Sequence, residues 1–116
     1  MHTAAFDFSG LDHLNPGNGQ YRYCIDLIRG LSRLPVDFRF VIIGSSPRPP
    51  QKIADIFAGP PWRYVQLPKL QMRGAYYIDH VRYAWLLGRE RVDVFHTPHT
   101  FVPLVRAPRT VITVHD

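Results

Sequence analysis

The sequence predicts an α/β domain built on a doubly wound, parallel β-sheet of five strands with helices on both faces. Short β-branched runs alternate with stretches of helical periodicity, which is the pattern of such a fold. No hairpin turn signal separates consecutive runs, so right-handed crossovers between parallel strands are expected. The 11 prolines all lie between these segments or at their edges, where they interrupt no backbone hydrogen bonds.

Five short runs are predicted to be strands because they are rich in apolar residues and bounded by turn residues. They are Thr3 to Ser9, Phe38 to Ile43, Trp62 to Leu67, Val92 to Phe95 and Thr110 to Val114. In the common strand order 3-2-1-4-5, the first and fourth strands are neighbours, and a ligand crevice opens where the loops after them part in opposite directions.

Three helices are predicted between the strands from the spacing of their apolar residues. The first begins at Gly19 and ends before Pro35, with an apolar stripe of Tyr21, Cys24, Ile25, Leu27, Ile28, Leu31 and Leu34. The second covers Gln51 to Ala58 and turns Ile53, Ile56 and Phe57 inward. The third, about Gly74 to Arg89, carries a broad apolar face of Tyr77, Ile78, Val81, Ala84, Trp85 and Leu87.

The aromatic residues of the third helix allow two interpretations. The simpler one is that they form the face that packs against the sheet. Alternatively, the segment Lys69 to Arg91, in which tyrosines and Trp85 alternate with arginines, lies on an anionic membrane surface. Sedimentation with anionic liposomes would separate the two interpretations.

Composition indicates one ordinary globular domain. The chain has 116 residues, of which 46% are hydrophobic and 20% charged, so a substantial core is expected and disorder is not. There is neither an apolar run long enough to cross a bilayer nor a signal-peptide pattern, so a cytoplasmic location is expected. The lone Cys24 cannot form an internal disulfide and is interpreted as a small packed hydrophobe.

The charge balance favours anionic partners. A net charge of +5 arises from 14 Lys and Arg against 9 Asp and Glu, and the surplus lies in the second half of the chain. Suitable partners are a nucleotide diphosphate or an acidic membrane surface. Nucleic acid is not expected, because the basic residues are spread over several elements and no nucleic-acid-binding module is recognisable.

A glycine-rich loop stands directly before the first helix. In Gly17-Asn18-Gly19, backbone amides and the positive end of the helix dipole suit a phosphate or another anion. A dinucleotide fingerprint would need glycine where Arg22 stands, which disfavours an NAD site. The plainer alternative is an ordinary glycine-rich connection.

Histidines follow the fourth and fifth strands. If these strands are parallel neighbours, the usual strand spacing of about 4.8 Å brings His96 and His115 out at the same edge of the sheet. His96 and His99 could be proposed as zinc ligands, but neither cysteines nor paired carboxylates accompany them, so no metal and no cofactor are predicted. His2, His13 and His80 are expected at the surface.

Three motifs in this order resemble a known family. They are Gly-Asn-Gly-Gln-Tyr opening a helix, Asp-Val-Phe-His-Thr-Pro, and Thr-Val-Ile-Thr-Val-His-Asp. Together they resemble the N-terminal domain of the retaining glycosyltransferases of family 4, over nearly the whole chain. The resemblance implies a GT-B fold, in which two Rossmann-like domains face each other across a cleft. Residues 1–116 would then be part of the N-terminal, acceptor-side domain, without the C-terminal donor-binding domain, and are not expected to catalyse transfer alone.

The resemblance also implies roles for particular residues. The catalytic residues would be His115, which contacts the transferred sugar, and Asp116, which orients an acceptor hydroxyl. The amides of Gly17, Asn18 and Gly19 would line the cleft for the donor diphosphate and the acceptor, and His96 would support them. The implied partners are a nucleotide-sugar donor and a sugar or lipid-linked acceptor, with peripheral contact at the inner face of the membrane. The alternative is a noncatalytic nucleotide-binding, anion-binding or membrane-surface module.

Overall fold

The computed structural model of the chain describes residues 2–9, 11, 17–35, 37–98 and 109–112. Within them the elements follow in the order β1 (His2–Asp7), α1 (Gly19–Ser32), β2 (Phe38–Gly44), a 3₁₀ helix (Gln51–Ala58), β3 (Trp62–Gln66), α2 (Ala75–Arg89), β4 (Val94–Thr97) and β5 (Arg109–Ile112). Every element that the sequence predicted is therefore present.

The five strands form one sheet in the order β3-β2-β1-β4-β5. Every neighbouring pair is parallel, and in the centre Ala4 of β1 pairs with Phe40 of β2 and with Val94 of β4. The predicted fold class and strand order are both confirmed. Since β1 lies between β2 and β4, the chain reverses its winding direction at β1, which makes the boundary of β1 and β4 the switch point.

Successive strand residues point to opposite sides of the sheet, so both faces carry apolar side chains. Helices cover both faces. On one face α1 and the 3₁₀ helix enclose a core that includes Phe6, Ile28, Ile42 and Ile53. On the other face α2 packs Tyr83, Leu86 and Leu87 against Ala5, Val41, Ile43 and Phe95. Each fully buried side chain of this kind contributes about 1.5–3 kcal/mol.

The first helix matches its prediction closely. It buries Tyr21, Cys24, Ile25 and Ile28, and it ends at Ser32, shortly before Pro35. Leu34 lies beyond the helix and is exposed, so it is not part of the stripe. Burial raises the pKa of the Cys24 thiol to about 12, which leaves the thiol protonated at neutral pH. The interpretation of Cys24 as a packed hydrophobe is confirmed.

The face assigned to α2 was wrong. Tyr77, Val81 and Trp85 are 75%, 65% and 60% exposed. The helix instead buries His80, Tyr83, Leu86 and Leu87, of which only Leu87 belonged to the predicted face. Apolar side chains surround this helix on most sides, so periodicity alone did not select the buried one. His80, expected at the surface, is buried, and its ring meets the Tyr76 ring edge-on with 4.8 Å between the ring centroids.

β1 ends two residues before its predicted end, and β4 lies two residues beyond its predicted bounds at both ends. β1 stops at Asp7, because its side chain accepts a hydrogen bond from the Ser9 amide and turns the chain. β4 begins at Val94 rather than Val92, since Arg91 adopts a positive φ of 54° and the Val92 amide still bonds the Leu87 carbonyl. β4 thus continues to Thr97 and contains His96 rather than ending before it.

Candidate functional site at the carboxyl edge of the sheet

The N-terminus of α1 is fixed beside the end of β4. The side-chain Nε2 of Gln20 donates a hydrogen bond to the Pro98 carbonyl at 3.0 Å. Since all strands are parallel, Gly17–Gly19 at the start of α1 and Pro98 at the end of β4 share the carboxyl edge of the sheet. We name the residues Gly17–Gly19 and His96–Pro98 the carboxyl-edge site. It lies at the switch point, where open α/β sheets bind ligands.

Asn18 performs a structural task within this site. As the N-cap of α1, its Oδ1 accepts hydrogen bonds from the amides of Gln20 at 2.9 Å and Tyr21 at 3.3 Å. These two donors stabilise the helix, so they are not presented to a ligand. Of the first three helical amides, the one that the Asn18 side chain does not bind belongs to Gly19. The glycine-rich turn therefore offers a ligand fewer backbone amides than the sequence suggested.

Space for a ligand is present at the same turn. Gly17, Asn18 and Gly19 are all exposed. Apart from its chain neighbours and the backbone of its own helix, a Cβ placed on Gly19 would meet no atom of the described residues within 4 Å. With respect to the described residues, the positive end of the α1 dipole therefore faces an open position that an anion can approach.

His96 lies on the α1 face of the sheet, next to this turn in the fold. Its ring meets Phe6 edge-on, with 4.8 Å between the ring centroids, and its strand partner on β5 is Val111. Burial lowers the pKa of His96, so the imidazole is neutral at pH 7. A neutral imidazole can donate a hydrogen bond through one nitrogen and accept one through the other, which suits a sugar hydroxyl.

His115 and Asp116 lie outside the described residues, as do His13 and His99. β5 runs parallel to β4, with Val111 opposite His96 and Ile112 opposite Thr97, so the described part of β5 heads toward the carboxyl edge. Among the described residues no group of three or more His, Cys, Asp or Glu side chains is placed to hold a metal ion. Since His99 is outside the described residues, the prediction that no metal is bound stays a prediction.

A buried polar cluster at the end of β1 was missed by the sequence analysis. Asp7 is 1% exposed, and its Oδ1 accepts hydrogen bonds from the Ser9 hydroxyl at 2.6 Å and the Tyr83 hydroxyl at 3.1 Å. Burial, followed by the nearby Asp7 carboxyl, raises the pKa of Tyr83 far above its usual range, so its hydroxyl remains a donor. The Ser45 hydroxyl in turn donates to the Ser9 carbonyl at 3.1 Å.

Through these hydrogen bonds the cluster connects the ends of β1 and β2 to α2. It thereby stabilises the carboxyl edge on the face of the sheet that α2 covers. An acidic residue closing an otherwise buried strand was the available sequence signal. Its partner Tyr83 stands 76 residues away, and nothing in the local pattern connects the two.

An open pocket of about 390 Å³ lies at the opposite, amino edge of the sheet. It is lined by the first residues of β2 and β3, including the rings of Phe40 and Trp62, which stack with centroids 4.2 Å apart. Arg39 and Arg63 border it, and Arg63 also pairs with Glu90 at 3.2 Å. The topology places this pocket away from the carboxyl-edge site.

Comparisons with protein-family models, with curated proteins and with solved structures return no match to this chain. The fold alone therefore defines the class of this protein, which is a Rossmann-like α/β domain with a five-stranded parallel sheet. In the described part of the chain, no helix is both long and apolar enough to cross a membrane.

Proposed function

We propose that the chain is the acceptor-side half of a retaining glycosyltransferase with the GT-B fold, and that its carboxyl-edge site lines the cleft. The enzyme would transfer a sugar from a nucleotide-sugar donor to an acceptor. The observation that carries this proposal is the hydrogen bond from Gln20 to the Pro98 carbonyl. It brings the glycine turn and the end of β4 together at the switch point of a parallel sheet, where the resemblance expects donor and acceptor to meet.

The chemistry of sugar transfer suits this edge. As the bond from the sugar to the nucleotide diphosphate breaks, negative charge develops on the leaving phosphate. The Gly19 amide and the positive end of α1 are fixed dipoles that stabilise such charge without reorganisation. The net charge of +5 favours the same anionic donor at longer range.

The neighbouring side chains would handle the hydroxyl groups. The neutral His96 imidazole can hydrogen-bond a hydroxyl of the bound sugar. By the motif resemblance, His115 would hold the transferred sugar and Asp116 would orient the acceptor hydroxyl, assisting transfer of its proton. Both follow β5 in the sequence, and the described part of that strand runs toward the carboxyl edge.

The test uses the protein expressed from its complete reading frame and measures nucleotide diphosphate release from a panel of UDP-, GDP- and ADP-sugars, with sugar and lipid-linked acceptors. One donor is expected to release its nucleotide diphosphate in the presence of an acceptor. Replacing His115 with Ala and Asp116 with Asn should lower turnover about 100-fold or more, as for lost acid-base assistance. Lys52→Ala, an exposed change on the 3₁₀ helix, serves as the control and should keep wild-type turnover.

Two results would contradict the proposal in different ways. Binding of a nucleotide diphosphate without release from any donor would favour the noncatalytic anion-binding module. Release that survives substitution of both His115 and Asp116 would remove these residues from the mechanism.

A further inference from the structure

The outer side of α2 exposes an apolar stripe. Tyr77, Val81 and Trp85 recur at intervals of four residues, and their exposures are 75%, 65% and 60%. Ile78 adds to the same side, and Tyr76, at 61% exposure, widens the stripe at its N-terminal end. Large aromatic side chains aligned on one exposed side of a helix are characteristic of an interaction surface. We name these five residues the α2 outer stripe.

Exposed cations flank the stripe at both ends. Lys69 and Arg73 precede it, and Arg89 and Arg91 follow it. The acidic residues of the same segment are engaged elsewhere. Asp79 pairs with Arg82 at 3.0 Å, and the buried Glu90 pairs with Arg63 at 3.2 Å. The net charge that the surface presents around the stripe is therefore positive.

Arg89 also joins the stripe directly. Its guanidinium lies over the Trp85 ring, with 5.2 Å between its central carbon and the ring centroid. The ring nevertheless stays 60% exposed. A tryptophan in contact with an arginine presents an apolar body and a cation side by side, as at the boundary between lipid headgroups and acyl chains.

The charge arrangement selects among possible occupants. If a second copy covered the stripe, the cations at the ends of one α2 would face cations of the other in either parallel or antiparallel packing, because both ends are positive. Such like-charge contacts cost several kcal/mol. A layer of anionic headgroups is instead complementary to both ends at once.

We propose that the α2 outer stripe docks the protein on the surface of an anionic lipid bilayer. Its aromatic side chains would enter the headgroup boundary, and the four flanking cations would contact lipid phosphates. The inference does not rest on the proposed sugar transfer. Docking would nevertheless affect sugar transfer, because α2 follows β3 and so begins at the carboxyl edge of the sheet. A docked protein would hold the carboxyl-edge site near the bilayer, where a lipid-linked acceptor is accessible.

Co-sedimentation with vesicles tests the proposal, using the protein from the complete reading frame. Vesicles of phosphatidylcholine mixed with phosphatidylglycerol should bind it, and phosphatidylcholine alone should bind it much less. The double variant Arg73→Gln and Arg89→Gln should weaken binding to the anionic vesicles about 30-fold, since each basic residue near such a surface contributes about 1 kcal/mol. Tyr77→Ser combined with Trp85→Ser should also release the protein.

The matched control lies on the other face of the sheet. Tyr23 and Arg33 are exposed residues of the α1 region, and Tyr23→Ser combined with Arg33→Gln should leave vesicle binding unchanged. Circular dichroism should show wild-type helix content in every variant, because all the substituted side chains are exposed.

Three outcomes would overturn the proposal. They are absence of binding to anionic vesicles, equal binding by the stripe variants and the wild type, and a solution dimer that Trp85→Ser dissociates, which would assign the stripe to a second copy. None of these would alter turnover with soluble acceptors, so failure here is distinguishable from failure of the proposed function.

Discussion

At the residue scale, Asn18 shows how one side chain serves both the fold and the candidate site. Its Oδ1 satisfies the amides of Gln20 and Tyr21, and its carbonyl accepts from the Arg22 amide at 3.0 Å. The helix therefore begins at a fixed point beside the end of β4. The position of the glycine turn depends on this cap.

Replacing Asn18 with Ala should lower the free energy of unfolding by about 1 kcal/mol, because two helical amides lose their acceptor. Asn18→Asp retains a capping oxygen and should remain within a few tenths of the wild type. Urea denaturation at neutral pH measures both values. Equal stability of the Ala and Asp variants would show that the cap does not hold the turn.

His96 predicts a pH dependence of stability. Because burial places its folded-state pKa below the unfolded value of about 6.5, the unfolded chain binds more protons between the two values. The stabilisation is fully present above about pH 6.5 and declines as the pH falls through the folded-state pKa. Urea denaturation near pH 8 and near pH 5 should show a smaller difference for His96→Gln than for the wild type. An identical difference in both proteins would contradict the assignment.

At the scale of elements, α2 carries the main correction to the sequence analysis. Its inward side is set by tertiary partners. Leu86 and Leu87 enter the core, while the Tyr83 hydroxyl reaches Asp7 and Ser9. Tyr77 and Trp85 are as apolar as the residues that the core accepts, so composition could not distinguish the two sides. A buried hydroxyl with two partners decides the orientation.

Substitutions on the two sides of α2 should lower the free energy of unfolding by different amounts. Leu86→Ala removes a side chain that is 2% exposed and should cost about 2–5 kcal/mol. Trp85→Ser removes an exposed ring with its arginine contact and should cost about 1 kcal/mol or less. Thermal or urea unfolding of the two variants provides the comparison. If Trp85→Ser were as destabilising as Leu86→Ala, the aromatic side would be the one facing the core.

At the scale of the whole molecule, the topology followed from the sequence because each element is bounded clearly. Runs such as Phe38 to Ile43 are too apolar for anything but a buried strand, and prolines mark the connections. Positions set by distant contacts were not predictable. β4 begins later than predicted because Arg91 adopts a positive φ. Asp7 accepts a hydrogen bond from Tyr83, which lies on α2.

The candidate site was predicted in part. The carboxyl edge and the glycine turn were identified correctly as neighbours of β4, since parallel strands leave little choice. The capping role of Asn18 and the placement of His96 within the strand depend on backbone geometry that the sequence pattern does not specify. The roles of His115 and Asp116 stay predictions.

The central claim is that the carboxyl edge, rather than the amino-edge pocket, binds the anionic ligand. The most direct measurement is a titration with UDP and GDP of ¹⁵N-labelled protein expressed from its complete reading frame, followed by amide chemical shifts. Saturable shifts are expected at Gly17, Gly19, His96 and Thr97. Shifts confined to residues of the opposite pocket, such as Phe40 and Trp62, would contradict it.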